Sequence, residues 1–286
     1  MKFLLLLLTA LSVACCHAAN ITRDIEYASI DGRSLKLDLY LPPEGTATQS
    51  PLLVYVHGGA WRAGDKSEMP LGKLVTQGFP VASVDYRLST EARFPAQAFD
   101  IKAAIRFLRA EGKKFHVDAS RIVIVGGSAG GHLAALIGVT NGVKELEGTL
   151  GEHRAESSAV QGIISLYGAS NLQTILAQST PHGLSVRVPA LDLLLGAQPD
   201  KVPDLAQLGS PVAHVDPTDP PLLLIHGDED PQMPYQQSEE LLHAYEAVKR
   251  PAHLETIPHG KHGGKEFYDD TRIALMSDFL RHLGKD

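Results

Sequence analysis

Six short aliphatic runs constrain this chain more than any other feature: Leu52 to Val56, Val81 to Val84, Ile122 to Val125, Gly162 to Leu166, Leu222 to Ile225 and Leu254 to Ile257. Each is too short for a buried helix and lacks the polar alternation of a half-exposed strand, which suits strands of a parallel sheet covered on both faces. Between them lie amphipathic stretches, clearest from Ala96 to Arg109, Gln237 to Val248 and Lys265 to Leu283. Parallel strands require long crossovers, and helices supply them, so the alternation predicts an open α/β sheet with helices on both faces. Ahead of it, Arg23 to Leu41 alternates in two stretches around Asp31-Gly32, a hairpin turn signal, and predicts two antiparallel strands at one edge.

The rhythm breaks between Asn171 and Pro220. No strand pattern occurs there, proline and glycine are frequent, and only Val188 to Leu195 is apolar enough for a helix. A segment of that length inside a compact domain is expected to be functional, and we read it as a small cap inserted over the carboxyl edge of the sheet. The remainder, 20–286, is expected to form one domain around it. No internal repeat is visible.

Composition removes several classes of function. With Lys+Arg 26 against Asp+Glu 33 and no basic block, the chain lacks the clustered cations that phosphate binding needs, so no nucleic-acid partner is expected. Lys2, the apolar run from Phe3 to Val13 and the small residues up to Ala19 form a secretory leader over 1–19, too short to persist as a membrane span. Its removal would leave a net charge of −8 and take both cysteines, Cys15 and Cys16, with it. Lipidation at Cys15 is the less favoured fate, because Ser12 stands where a large aliphatic residue is usual. The exported chain would then hold neither a disulfide nor a thiol nucleophile.

Chemistry concentrates at Gly126-Gly127-Ser128-Ala129-Gly130, directly after one aliphatic run and before an Ala/Leu-rich helix from Gly131 to Ile137. The pattern GxSxG is weak alone. At a strand-to-helix corner it is specific, because a nucleophile held on a strained turn needs neighbours without bulk. A serine hydroxyl also needs a base. Two later strand ends supply candidates: Asp228, Glu229 and Asp230 after Ile225, and His259 and His262 after Ile257. Parallel strands put these loops on the same edge as Ser128. A metal centre built on His253, His259 and His262 is disfavoured for want of a partnering carboxylate, so neither metal nor cofactor is expected.

These motifs resemble those of the α/β-hydrolase superfamily, and within it the secreted carboxylesterases of the hormone-sensitive-lipase and feruloyl-esterase type, from about Pro51 onward. The resemblance implies a serine esterase acting on small-molecule esters, short-chain or aryl, with arylformamidase or peptidase activity and a non-catalytic binding module as alternatives. His226-Gly227-Asp228-Glu229-Asp230-Pro231 and the following residues resemble the strand-end pattern HGxxDxxVP, which implies Asp230 as the acid; His262 before Gly263-Gly264 is implied as the base. His57-Gly58-Gly59-Ala60-Trp61 resembles the HGGxW signature, which implies an oxyanion hole from the amides of Gly59, Ala60 and Ala129, with His57 and Trp61 orienting the loop. Asp85-Tyr86-Arg87-Leu88 and Phe94-Pro95 with Asp100 are similar to a stretch in which Arg87 and Asp100 brace that loop. Ser210 to Asp216 resembles the segment that re-enters the core, and Asn171 departs from the family's usual Asp. Oligomeric state is not legible.

Overall fold

The computed structural model describes residues 20–44 and 50–284. The leader and both cysteines lie outside the described residues. In chain order the elements are β1 (Asn20–Ile30), β2 (Arg33–Leu41), β3 (Leu52–Val56), α1 (Gly72–Thr76), β4 (Val81–Val84), α2 (Ala96–Glu111), β5 (Ile122–Gly127), α3 (Ala129–Val139), α4 (Lys144–Glu147) and β6 (Gly162–Leu166). There follow α5 (Ile175–Gln178), α6 (Pro181–Leu195), α7 (Pro203–Leu208), β7 (Leu222–Gly227), α8 (Gln236–Ala247), β8 (Ala252–Ile257) and α9 (Asp270–His282).

The strands form one sheet in the order β1-β2-β4-β3-β5-β6-β7-β8, parallel from β4 to β8. β1 and β2 pair antiparallel through a two-residue turn in which Asp31 and Gly32 both have positive φ, the conformation an Asp-Gly hairpin favours. β2 also pairs antiparallel with β4, so only β1 is a free edge of the two. Successive side chains of each central strand point to opposite faces. Leu52, Val54 and Val56 pack with α2, α3 and α8, whereas Leu53 and Tyr55 pack with α1 and α9. That two-sided burial is why the runs are aliphatic throughout. It gives the α/β-hydrolase architecture.

The aliphatic runs mark the strands to within two residues. The segment from Asn171 to Pro220 contains no strand but holds more helix than its composition suggests: α5, α6 and α7. α6 begins seven residues before the predicted Val188, because Thr180 caps it, accepting from the Gly183 amide at 3.0 Å, and Pro181 sits at its first position. Its buried face carries Gly183 and Arg187 before Ala190, Leu191 and Leu194, so the apolar pattern starts late. The stretch from Lys265 is likewise a short turn followed by α9, whose cap is Asp269.

Candidate active site

The chain leaves β3 toward β4 on one side and β5 toward β6 on the other, so the loops after β3 and β5 diverge and open a crevice at the carboxyl edge. Ser128 stands there, between β5 and α3, at φ 57° and ψ −120°, a conformation a non-glycine residue adopts only when its surroundings enforce it. They do so by close packing: a Cβ on Gly130 would lie 2.0 Å from the Val56 carbonyl oxygen, and one on Gly126 2.2 Å from that of Gly130. The turn can therefore be made only with glycine at both places.

Ser128 Oγ lies 2.8 Å from His262 Nε2, and His262 Nδ1 lies 2.7 Å from Asp230 Oδ2. Asp230 Oδ1 accepts from the Gln232 and Met233 amides at 2.7 and 2.8 Å. Burial works to raise the Asp230 carboxyl, but the bonds from His226 and His262 and the Met233 amide hold it well below the usual carboxylate range. Burial also lowers His262 below the ordinary imidazole value, outweighing the pull of Asp230 in the other direction. An ionised carboxylate thus faces a neutral imidazole, whose Nδ1 carries the proton and whose Nε2 is free to accept from the serine.

The alternatives fall outside this group. Asp228 accepts from the His259 amide at 2.6 Å, and the exposed His259 ring meets Glu229 at 2.6 Å. Those two loops tie to each other at the surface through residues that make no hydrogen bond to Ser128.

Gly59 and Ala60 line the cleft beside Ser128, with φ of 90° and 52°. Neither amide is engaged by an acceptor among the described residues, and Ala129, the first residue of α3, has no acceptor within its own helix. The loop that carries Gly59 is held from below. Tyr86 Oη donates to the His57 and Gly58 carbonyls at 3.1 and 3.2 Å, its ring stacked on His57 at 4.4 Å, and His57 Nδ1 donates to the Gly58 carbonyl at 3.0 Å. Arg87 grips the fully buried Asp100 through Nε, Nη2 and its own amide, and the Ser89 amide donates to the Trp61 carbonyl. Arg87 and Asp100 thus pair with each other, next in sequence to Tyr86, which holds the loop directly; neither is hydrogen-bonded to Ser128 or His262.

Other participants were not legible. Trp61 Nε1 donates to His132 Nδ1 at 3.1 Å, and His132 Nε2 donates to the Gly209 carbonyl at 2.7 Å, a buried chain that ties the loop through α3 to the segment before β7. His226 Nε2 sits between two acceptors, the Met233 carbonyl at 3.2 Å and Asp230 Oδ2 at 3.4 Å, so this nitrogen must carry the proton. Its Nδ1 then accepts from Ser238 at 2.7 Å. Tyr167 presents its ring edge-on to His262 at 4.9 Å. His132 lies inside the apolar α3, Tyr167 directly follows β6, and His226 opens the strand-end motif, but spacing alone assigns none of the three a contact at the site.

Comparison with known proteins identifies the family. The BD-FAE family model matches residues 37–245, well over half of the chain. The esterase LipC of Mycobacterium tuberculosis is 31% identical over 236 residues, covering 79% of this chain and 56% of LipC. LipQ of the same organism is 29% identical over 84% of this chain and 55% of its own length. The chain spans about half the length of the curated relatives it matches. Among solved structures, a truncated carbohydrate esterase from gut microbiota superposes with a TM-score of 0.80 at 34% identity, over 92% of this chain and 95% of that one. The butyrate-bound esterase Est2 of Thermogutta terrifontis gives 0.74 at 25% identity, over 93% and 94%. A strand-to-helix serine in hydrogen-bond reach of a histidine, at the switch point of this sheet and within a stretch the family model covers, places the chain in the BD-FAE family of α/β-hydrolases.

Proposed function

We propose that the chain is a serine carboxylic-ester hydrolase working through an acyl-enzyme on Ser128, with short-chain or aryl esters as substrates. The observation that carries this reading is the continuous path from Ser128 Oγ through His262 to Asp230, at 2.8 and 2.7 Å. In the reaction His262 Nε2 takes the hydroxyl proton as Oγ attacks the ester carbonyl, and Asp230 holds the ring and stabilises the imidazolium. Charge collects on the carbonyl oxygen, which the Gly59, Ala60 and Ala129 amides would receive; each such donor lowers the barrier by about 3–4 kcal/mol in comparable sites. His262 then returns the proton to the leaving alcohol, and water, activated by the same base, releases the acid. The names of the relatives support ester chemistry. The cleft beside Ser128 has a volume of about 530 Å³ and is walled by Arg62, Glu68 and Gln232 as well as by glycines, which favours a small acyl group over a long aliphatic chain.

A fluorophosphonate probe tests the nucleophile directly. The wild-type protein is expected to be labelled once and to hydrolyse p-nitrophenyl butyrate, and Ser128→Ala to lose both. Labelling that survives Ser128→Ala would overturn the assignment. We also propose export after removal of 1–19, supported by the Lys2 to Ala19 pattern. The mass of the protein recovered outside the cytoplasm tests it: a chain still carrying its first nineteen residues would refute cleavage. Among the described residues no helix is long and apolar enough to cross a membrane.

A further inference from the structure

Among the described residues, the buried cations other than Arg187 are paired. Lys102 and Arg106 share Glu147, and Arg87 holds Asp100. Arg187, on the buried face of α6, is fully buried, and Nε, Nη1 and Nη2 have no hydrogen-bond partner among the described residues. Its guanidinium lies 5.8 Å from the centre of the Trp61 ring, a cation–π contact that does not replace five N–H bonds. Arg62, the residue after Trp61, is half-buried in the wall of the cleft that holds Ser128 and His262, and its side chain makes neither ion pair nor hydrogen bond among the described residues.

One guanidinium therefore lies against the Trp61 indole and another lines the cleft, close enough for their charges to interact, with no ion pair to either among the described residues. Burial pulls Arg187 down to about 10; Asp230 opposes this and the Arg62 charge adds to it. The anion acting on Arg187 is Asp230, whose oxygens are taken by His262, His226 and two amides; Glu68, exposed and without an ion pair among the described residues, lines the same cleft as Arg62. His132 and His262, also close, are both lowered by burial and add no positive charge near neutrality.

We propose that this cleft selects esters that carry a free carboxylate, with Arg62 contacting that carboxylate and Arg187 acting behind it as a sealed positive charge. The inference rests on the ester-hydrolase reading above and names the substrate class for the same site. Arg187 is closed to solvent and does not touch the ligand; its field is strong because the surroundings are dry. Arg62 is accessible and offers the planar fork that matches a carboxylate.

The test compares ester pairs that differ only in charge. p-Nitrophenyl hemiglutarate against its methyl diester puts the carboxylate on the acyl side, and para-acetoxybenzoate against its methyl ester puts it on the leaving group. The ratio of kcat/KM, anionic over neutral, is taken within each variant so that any general loss cancels. In at least one pair this ratio is expected to fall roughly ten- to hundred-fold in Arg62→Gln and to recover in part in Arg62→Lys. It should also fall with added salt in the wild type, because the Arg62 end is open to screening. Arg187→Met should lower the same ratio if it folds, but Arg62→Gln decides. A ratio unchanged by Arg62→Gln in both pairs overturns the inference while leaving ester hydrolysis intact. No turnover of any of the four esters, with Ser128 unlabelled, removes the ester-hydrolase reading and this inference with it.

Discussion

At the scale of single residues, the site depends on opposite effects of burial on an acid and a base. Burial lowers His262, and Asp230 partly restores it, so the base is neutral at pH values where a free imidazole is half protonated. Rising kcat/KM should therefore have its acid midpoint below the ordinary value of about 6.5. In Asp230→Asn the stabilising charge disappears: His262 should fall further, moving the acid limb to lower pH, while kcat drops about 10⁴-fold because the ring loses the partner that fixes its tautomer. A pH–rate profile of the variant checks both effects, and an acid limb displaced to higher pH would contradict the role given to Asp230. Ser128 and the candidate acids and bases, Asp228, Glu229, Asp230, His259 and His262, could be read from strand ends. The choice between Asp228 and Asp230 could not, because two carboxylates on one loop differ only in where the turn aims them, and here Asp228 spends its oxygen on the His259 amide. His226 stands at the head of the strand-end motif, but its role was hidden for a different reason: it needs Ser238, twelve residues on, and no spacing rule links the two.

At the scale of elements, the strands were legible and α6 was only half so. Strands covered on both faces leave a strong aliphatic signal, whereas the first half of α6 buries Gly183 and Arg187, residues that mimic a loop. Its start was written in Thr180 and Pro181, a cap and a first-turn proline. That cap also couples the helix to the acid loop, since Thr180 Oγ1 accepts from the Gly183 amide at 3.0 Å and donates to the Pro231 carbonyl at 2.5 Å. A Cβ on Gly183 would approach the Gln232 and Pro231 carbonyl oxygens at 3.1 and 3.3 Å, so the helix end and the loop after Asp230 are in contact. Thr180→Ala should therefore cost about 1 kcal/mol of stability, with Thr180→Ser close to wild type. It should also lower kcat, because the loop that aims Asp230 loses a tie. Urea unfolding and steady-state kinetics on the two variants check this. A Thr180→Ala protein as stable as Thr180→Ser would show that the cap contributes nothing.

At the scale of the whole molecule, Ser128 and His262 meet across 134 residues of sequence only because β5, β7 and β8 lie parallel in one sheet, so active geometry and global stability share the same pH-sensitive supports. His132 is the clearest. Trp61 donates to its Nδ1, its Nε2 donates to Gly209, and burial takes it down to about 4, so it folds neutral. Between pH 6.5 and 4 the unfolded chain binds a proton there that the folded one refuses, and stability falls with acidification by roughly 3 kcal/mol from this group. His57, also lowered by burial, acts with the same sign. Asp219 acts with the opposite sign. It is buried before β7, accepts from the Asp216 amide at 2.9 Å, and burial lifts its carboxyl to about 7. From pH 3.8 up to 7 the unfolded chain is the one that ionises readily, so this group removes stability as pH rises. The two opposing slopes should leave the wild type with a shallow dependence between pH 4 and 6.5. Asp219→Asn keeps an acceptor for the Asp216 amide and removes one slope. The variant should be more stable than wild type at pH 6.5, by about 2–3 kcal/mol, and the gap should close by pH 4, where the native carboxyl is protonated in any case. Urea midpoints of both proteins across this range decide the matter. A gap that stays constant with pH would mean that Asp219 does not carry its proton in the folded state, and the steep acid loss assigned to His132 would then have to appear in the wild type as well.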